Sequence, residues 1–153
     1  MDKNKIPTFP TYDQIHEAYE EMGSHLGPVD MVIGLSRGGL LPGVIVSHLL
    51  NIPFKPIEYS STKGQGDKAY DNDIPDWIKN NSTPTTCYVV DDLVDSGHSL
   101  SEVTTILREN NFITKTVVMY YKTSSIIIPD YYKHQIPEDF GWIVFPYEIS
   151  SYQ

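Results

Sequence analysis

Tyr12, Ile15, Tyr19, Met22 and Leu26 recur at steps of three and four along an otherwise polar stretch, a spacing that predicts an amphipathic helix over 12–26. Thr11 stands where an N-cap belongs, and Gly27-Pro28 forms a stop. The pattern then changes. "MVIGL" (31–35), "FKPIEY" (54–59), "CYVV" (87–90) and "TVVMYY" (116–121) are short apolar runs rich in β-forming residues, and each reads as a strand. Between them, "LLPGVIVSHLL" (40–50) is apolar enough for a buried helix, and "LSEVTTILREN" (100–110) carries a helical pattern. Strands alternating with helices predict an α/β domain with a mostly parallel sheet joined by right-handed crossovers.

Two segments follow neither period. Residues 60–86 are polar, with Gly, Pro, Asn and Asp scattered through them; a connection of that length in a compact domain is expected to be a functional, mobile loop. The tail over 126–153 is rich in proline and aromatic residues and is expected to form a small hood over one end of the sheet. No internal repeat or second domain is visible, so residues 1–153 read as a single domain, long enough for a sizeable core.

Charge narrows the partners. With 11 Lys and Arg against 20 Asp and Glu, the chain carries a net charge of −9. That leaves too little positive surface to release counterions from a nucleic acid, so none is expected as a partner. A small phosphorylated ligand stays open, held by backbone amides, a helix N-terminus, one or two cations and Mg²⁺. No apolar run approaches the roughly 20 residues that span a bilayer, and no membrane partner is expected. The first residues, "MDKNKIPTFPTYDQ", lack the apolar core of a secretory signal. The lone Cys87 allows no internal disulfide and suits a reducing compartment, so the reading is cytoplasmic. The five histidines show no metal-ligand spacing with one another or with Cys87, which argues against zinc.

The chemistry gathers in "VVDDLVDSGHSL" (89–100), where Asp91 and Asp92 directly follow an apolar run and Asp95 comes three positions later. In a parallel α/β sheet, ligands sit beyond the carboxyl ends of the strands. Adjacent side chains on a strand point to opposite faces, so both acids can meet one ligand only if the strand is ending there. Paired carboxylates accept hydrogen bonds from vicinal hydroxyls or hold Mg²⁺. The "DSGHS" turn adds backbone N–H groups and two hydroxyls at a helix start, a cradle for phosphate. A sugar phosphate would satisfy both halves.

This segment resembles the phosphoribosyl pyrophosphate (PRPP) motif of type I phosphoribosyltransferases. "GLSRGGLLPG" (34–43) is similar to the pyrophosphate loop of bacterial xanthine–guanine phosphoribosyltransferases, and "YYKT" (120–123) and "GWIVFPYE" (141–148) resemble that family's purine-contacting segments in order and approximate spacing. The resemblance runs from Val29 to Glu148. It implies the type I phosphoribosyltransferase fold, a mostly parallel twisted sheet flanked by helices with a C-terminal hood. It also implies transfer of a phosphoribosyl group from PRPP to guanine, xanthine or hypoxanthine with Mg²⁺, giving the nucleoside monophosphate and pyrophosphate, in a homodimer or homotetramer.

By the same resemblance Asp91 and Asp92 hold the ribose hydroxyls, with Asp92 the nearer to Mg²⁺, and Asp95, Ser96, Gly97, His98 and Ser99 wrap the 5′-phosphate. Asp95 lies near purine N7, Lys122 donates to O6, Trp142 stacks on the base, and the main chain of Ile143 reads its edge. Arg37 and Gly38 meet the pyrophosphate, and Glu148 occupies an acid position that helps a second Mg²⁺. Two departures stand out. His98 replaces a usual glycine, and is expected to keep its backbone out of left-handed space with its ring toward solvent. The loop over 60–86 has no arginine, leaving Lys63, Lys68 or Lys79 as substitutes.

Plainer readings compete at single residues. Arg37 alone could pair with a surface acid, Lys122 could be a solvated strand end, and Trp142 could be a core aromatic. Two other functions compete for the whole chain: a PRPP- or nucleotide-sensing regulator without turnover, and a phosphoribosyltransferase for another nucleobase.

Overall fold

The structure, a computed structural model, describes residues 6–61 and 73–148. Five strands make its frame: β1 (Met31–Ser36), β2 (Phe54–Glu58), β3 (Thr85–Val94), β4 (Phe112–Lys122) and β5 (Tyr131–Ile136). They lie in the order β2-β1-β3-β4-β5, and every neighbouring pair is parallel. The helices are α1 (Tyr12–Gly23), α2 (Leu40–Leu50), the single turn α3 (Asp76–Lys79) and α4 (His98–Glu109). No helix among the described residues is long and apolar enough to cross a membrane.

A parallel sheet is covered on both faces, which is why its strands read as nearly continuous apolar runs. Side chains along each strand divide between two cores by their period of two. Val32, Tyr88, Val90, Val117 and Met119 pack with Ile15, Tyr19, Met22 and Val46 of α1 and α2. Ile33, Leu35, Val89 and Val118 pack on the other face with Leu100, Val103 and Leu107 of α4. Thr11 caps α1 through a reciprocal pair, accepting from the Gln14 amide at 3.1 Å while Gln14 Oε1 accepts from the Thr11 amide at 2.9 Å. The helix stops at Gly23, four residues before the expected Gly-Pro, and Leu26 reaches the core from the turn that follows.

Three readings need correction. β3 continues past Val90 to Val94 because its pairing with β4 persists through Asp91↔Val118, Leu93↔Tyr120 and Val94↔Tyr121. Asp91 and Asp92 therefore lie inside the strand. The stretch 60–86 is not wholly irregular: α3 puts Ile78 in the core and sets Trp77 edge-on to Phe112, with ring centroids 6.0 Å apart. Residues 62–72, with Lys63 and Lys68, lie outside the described residues. Part of the expected hood belongs to the sheet, since Tyr131–Ile136 is its edge strand β5; residues 149–153 lie outside the described residues.

Strand order decides where a ligand can enter. The chain passes from β1 outward to β2, then returns to place β3 on the other side of β1. Connections leave β1 and β3 on opposite faces of the sheet there, and the crevice they open is the usual ligand position in such folds. The turns after β1 and β3 carry "SRGG" and "DSGHS".

Candidate active site

The turn after β1 presses against the end of β3. A Cβ on Gly38 would fall 2.4 Å from Asp92 Oδ2, and one on Gly39 would fall 2.2 Å from the Val90 carbonyl oxygen. Only glycines let the main chain lie so close to the acid. The Ser36–Arg37 peptide bond is cis. Arg37 and Gly38 line a cavity of about 680 Å³ with Tyr12, Leu41, Asp92 and Tyr147.

Alternation along β3 separates the acids. Asp92 turns toward this cavity, whereas Asp91 lines the small cavity formed by the Asp95–Ser99 turn. They still touch through the main chain, the Asp92 amide donating to Asp91 Oδ1 at 2.8 Å. Burial pushes the Asp91 carboxyl well above the usual range, and the Asp92 charge adds to this. Burial also raises Asp92, against a hydrogen bond from Tyr147 that favours its ionised form. Tyr147 donates to Asp92 Oδ2 at 2.7 Å and to the Gly38 carbonyl at 3.4 Å. Burial and the same carboxylate drive the Tyr147 hydroxyl far above its ordinary pKa, so it remains a donor. Below the pair, fully buried Tyr19 donates to the Asp91 carbonyl at 2.5 Å.

Beyond β3 the chain turns tightly. Gly97 has φ +86°, and a Cβ there would fall 2.3 Å from Ser125 Oγ, so a side chain is excluded twice over. His98 is in α4 and not left-handed, as expected. Its ring is not turned freely to solvent, because Nδ1 is buried, with no partner among the described residues. The Ile126 amide donates to the Ser96 carbonyl at 2.9 Å and braces the turn, while Ser99 Oγ accepts from the Ser61 amide at 3.1 Å.

A third cavity, of about 180 Å³, lies under the C-terminal segment. Lys122, at the end of β4, pairs with Asp95 there at 3.1 Å; its side chain is 16% exposed and that of Asp95 71%. Trp142 stands at the rim, 77% exposed, while the Ile143 side chain is buried. The Phe145 and Tyr147 rings stack in parallel with centroids 5.5 Å apart, and Glu148 Oε2 accepts from the Phe145 amide at 3.1 Å. The three cavities adjoin. Asp92 and Glu148 line the first and second; Leu93 and Asp95 line the second and the turn cavity of about 190 Å³.

Residues 13–152 match the family model of the phosphoribosyl transferase domain. The chain belongs to the phosphoribosyltransferase family. It is similar to the xanthine-guanine phosphoribosyltransferase of Cereibacter sphaeroides, at 30% identity over 92% of this chain and 86% of the relative. The corresponding protein of Desulfotalea psychrophila is 27% identical over 94% and 88%. Among solved structures, the purine phosphoribosyltransferase from Pyrococcus horikoshii superposes with a TM-score of 0.79 at 30% identity, covering 92% of each chain. The five-stranded sheet with its flanking helices is the fold of this phosphoribosyltransferase family.

In this phosphoribosyltransferase, Arg37, Gly38, Asp91, Asp92, Asp95 through Ser99, Lys122, Trp142, Ile143 and Glu148 all line the three adjoining cavities. Lys79 ends α3 and lines none of them. Two residues escaped the sequence. Tyr19 read as core, although a buried tyrosine must find a partner for its hydroxyl. Tyr147 sits in a quoted segment, but nothing local says that it folds back onto Asp92. No group of three or more His, Cys, Asp or Glu able to hold a metal occurs among the described residues. Buried Asp92, which has no cationic partner among the described residues, instead suits Mg²⁺ with Asp91 beside it, since that ion takes one or two carboxylates and completes its shell with water and substrate phosphates.

Proposed function

We propose that this phosphoribosyltransferase serves purine salvage, joining guanine, xanthine or hypoxanthine to PRPP to give the nucleoside 5′-monophosphate and pyrophosphate. The junction of three cavities at the end of β3 carries the reading, since PRPP and a base together need a place for a pyrophosphate, a 5′-phosphate and a planar ring. The names of its relatives point the same way.

Each residue then has a role. Beyond Val90 β3 is no longer paired with β1, so a sugar lying along that open edge can meet Asp92 from one face and Asp91 from the other, and both accept hydrogen bonds from its hydroxyls. Arg37 and the Gly38 main chain receive the pyrophosphate in the largest cavity. The amides of Asp95, Ser96, Gly97, His98 and Ser99 face the 5′-phosphate at the N-terminus of α4. Lys122 donates to O6 of the base, a contact adenine cannot return, and its short pairing with Asp95 holds both in position. Trp142 offers an open ring face for stacking, and the Ile143 main chain reads the edge of the base. Mg²⁺, held by Asp92 and Asp91 with Glu148 helping a second ion, supplies positive charge to the departing pyrophosphate when bound.

The reaction forms a bond between a purine nitrogen and ribose C1′ and breaks the bond from C1′ to pyrophosphate, whose oxygen keeps the electron pair. Charge grows on that oxygen, where the Arg37 guanidinium stabilises it. Asp95, beside the base, accepts or stabilises the purine proton and so makes the attacking nitrogen more electron-rich. Ser61, whose amide donates to Ser99 Oγ, stands beside the phosphate turn at the start of the loop we assign to keeping water from C1′. We take residues 1–153 as one catalytic unit in the cytoplasm, with the segment after β5 supplying the hood. Exposed Phe9, Leu49, Ile126 and Ile128 give a second copy apolar surface to cover, in keeping with a homodimer or homotetramer.

Incubation with PRPP, Mg²⁺ and each nucleobase in turn tests this. Pyrophosphate and a nucleoside monophosphate are expected with at least one 6-oxopurine. PRPP binding without turnover would make the chain a nucleotide sensor, and turnover with pyrimidines or adenine alone would make it a transferase for another base.

A further inference from the structure

The phosphate turn contains a side chain that its backbone chemistry does not require. His98 opens α4 and lines the same cavity as Ser96, Gly97 and Ser99. Its Nδ1 is buried with no hydrogen-bond partner among the described residues. One helical turn along the same helix face, Glu102 Oε2 is buried and also has no partner among the described residues, while its Oε1 accepts from the Tyr59 hydroxyl at 3.2 Å. Two such atoms, a ring nitrogen able to donate and an oxygen able only to accept, are complementary in chemistry. Buried polar atoms without partners are costly, and two of them one helical turn apart call for a ligand or a function that satisfies them.

The groups around the cavity say what the imidazole is for. Asp91 and Asp95 both line it, so a phosphate entering there lies beside two carboxyl groups, acceptors where a donor is needed. Lys122 is committed to Asp95 and lines the neighbouring cavity instead. Among the described residues lining the turn cavity, His98 has the sole nitrogen-bearing side chain. Tyr59 and Ser61, at the end of the β2 segment, reach over this end of α4 through Glu102 and Ser99 and enclose it.

We infer that the His98 side chain is itself a ligand of the 5′-phosphate, with Glu102 as the positioning residue that orients the imidazole toward it. This rests on the proposed use of the turn for a sugar phosphate. It adds a side-chain donor to a cradle otherwise made of main-chain amides and hydroxyls. Glycine at position 98 would leave the amides and lose the donor.

Calorimetric titration of the full chain with GMP and with guanosine separates the phosphate from the rest of the nucleotide. His98→Ala is expected to weaken GMP about tenfold, the scale of one charge-assisted hydrogen bond, and to leave guanosine within about twofold. Glu102→Gln is expected to weaken GMP by less, again sparing guanosine, a selectivity that a merely structural role would not produce. His98→Asn keeps one donor and a sound helix start, covers the case of an alanine variant that does not fold, and should lose part of the GMP affinity. Alanine or asparagine variants that bind GMP as the wild type does would overturn the inference alone. A wild type that binds neither compound would overturn the reading of the site, and the inference with it.

Discussion

Lys122 and Tyr147 are the two side chains whose hydrogen bonds say most about the ligand. Lys122 is nearly buried at the end of β4, with its one ion pair to Asp95 in the cavity under Trp142. Truncation to alanine removes the donor proposed for O6. A hydrogen bond from a charged group is worth about 1.5–3 kcal/mol, so kcat/KM for a 6-oxopurine should fall roughly 10- to 150-fold. The KM for PRPP should stay nearly constant; steady-state kinetics with guanine varied, then PRPP varied, separates the two. Tyr147 acts in the opposite sense. Its hydroxyl sits on the carboxylate proposed to take a ribose hydroxyl, and PRPP must displace it. Tyr147→Phe should therefore bind PRPP about two- to tenfold more tightly, since a hydrogen bond of ~0.5–1.5 kcal/mol is no longer given up. The same variant leaves Asp92 short of a partner and should melt lower. An unchanged KM for PRPP would mean that Tyr147 does not compete.

At the scale of elements, the site depends on how closely the turn after β1 approaches β3. Gly38→Ala puts a methyl group where Asp92 Oδ2 now lies, 2.4 Å from the ideal Cβ. Either the turn or the carboxylate must move, and displacements of about 1 Å commonly cost 100-fold in rate. Turnover should fall by about that factor while the fold survives, which circular dichroism beside an activity assay would show. This intimacy explains what could be read from the chain in advance. The strands of β1 and β2, helix α2 and the Thr11 cap follow from local pattern, and so do the acids and the small-residue turn. The extension of β3 through Asp91 and Asp92 does not, because carboxylates inside a strand are tolerated only through pairing with β4. Nor does β5: "YYKHQI" has no clean alternation and becomes a strand by lying along β4, with Asp130 accepting from the Thr116 amide at 2.8 Å. The contact of Tyr147 with Asp92 joins residues 55 apart in sequence. Such contacts leave no local periodicity to detect.

For the whole molecule, a net charge of −9 and a buried acid pair make stability and ligand binding one problem. A carboxyl whose pKa is higher in the fold than in the unfolded chain keeps its proton longer in the fold. The fold is then favoured most near or below the ordinary value of 3.8 and loses stability as pH rises through the raised value. Asp92→Asn removes one charge from the pair yet keeps an oxygen to accept from Tyr147. The variant should thus gain on the wild type as pH increases from 4 to 8, melting roughly 2–4 °C higher at pH 8 for each ~1 kcal/mol relieved. Adding PRPP with Mg²⁺ should reverse the order, because a ligand bound only by the fold stabilises it by ~2.7 kcal/mol at a hundred times its Kd. That gain belongs to the protein with both carboxylates. Melting curves of the two proteins at pH 5 and pH 8, with and without PRPP and Mg²⁺, give the comparison directly. A variant that melts below the wild type at pH 8 without ligand would show that the Asp92 charge is already compensated within the fold, and the acid pair would lose its claim to a cation.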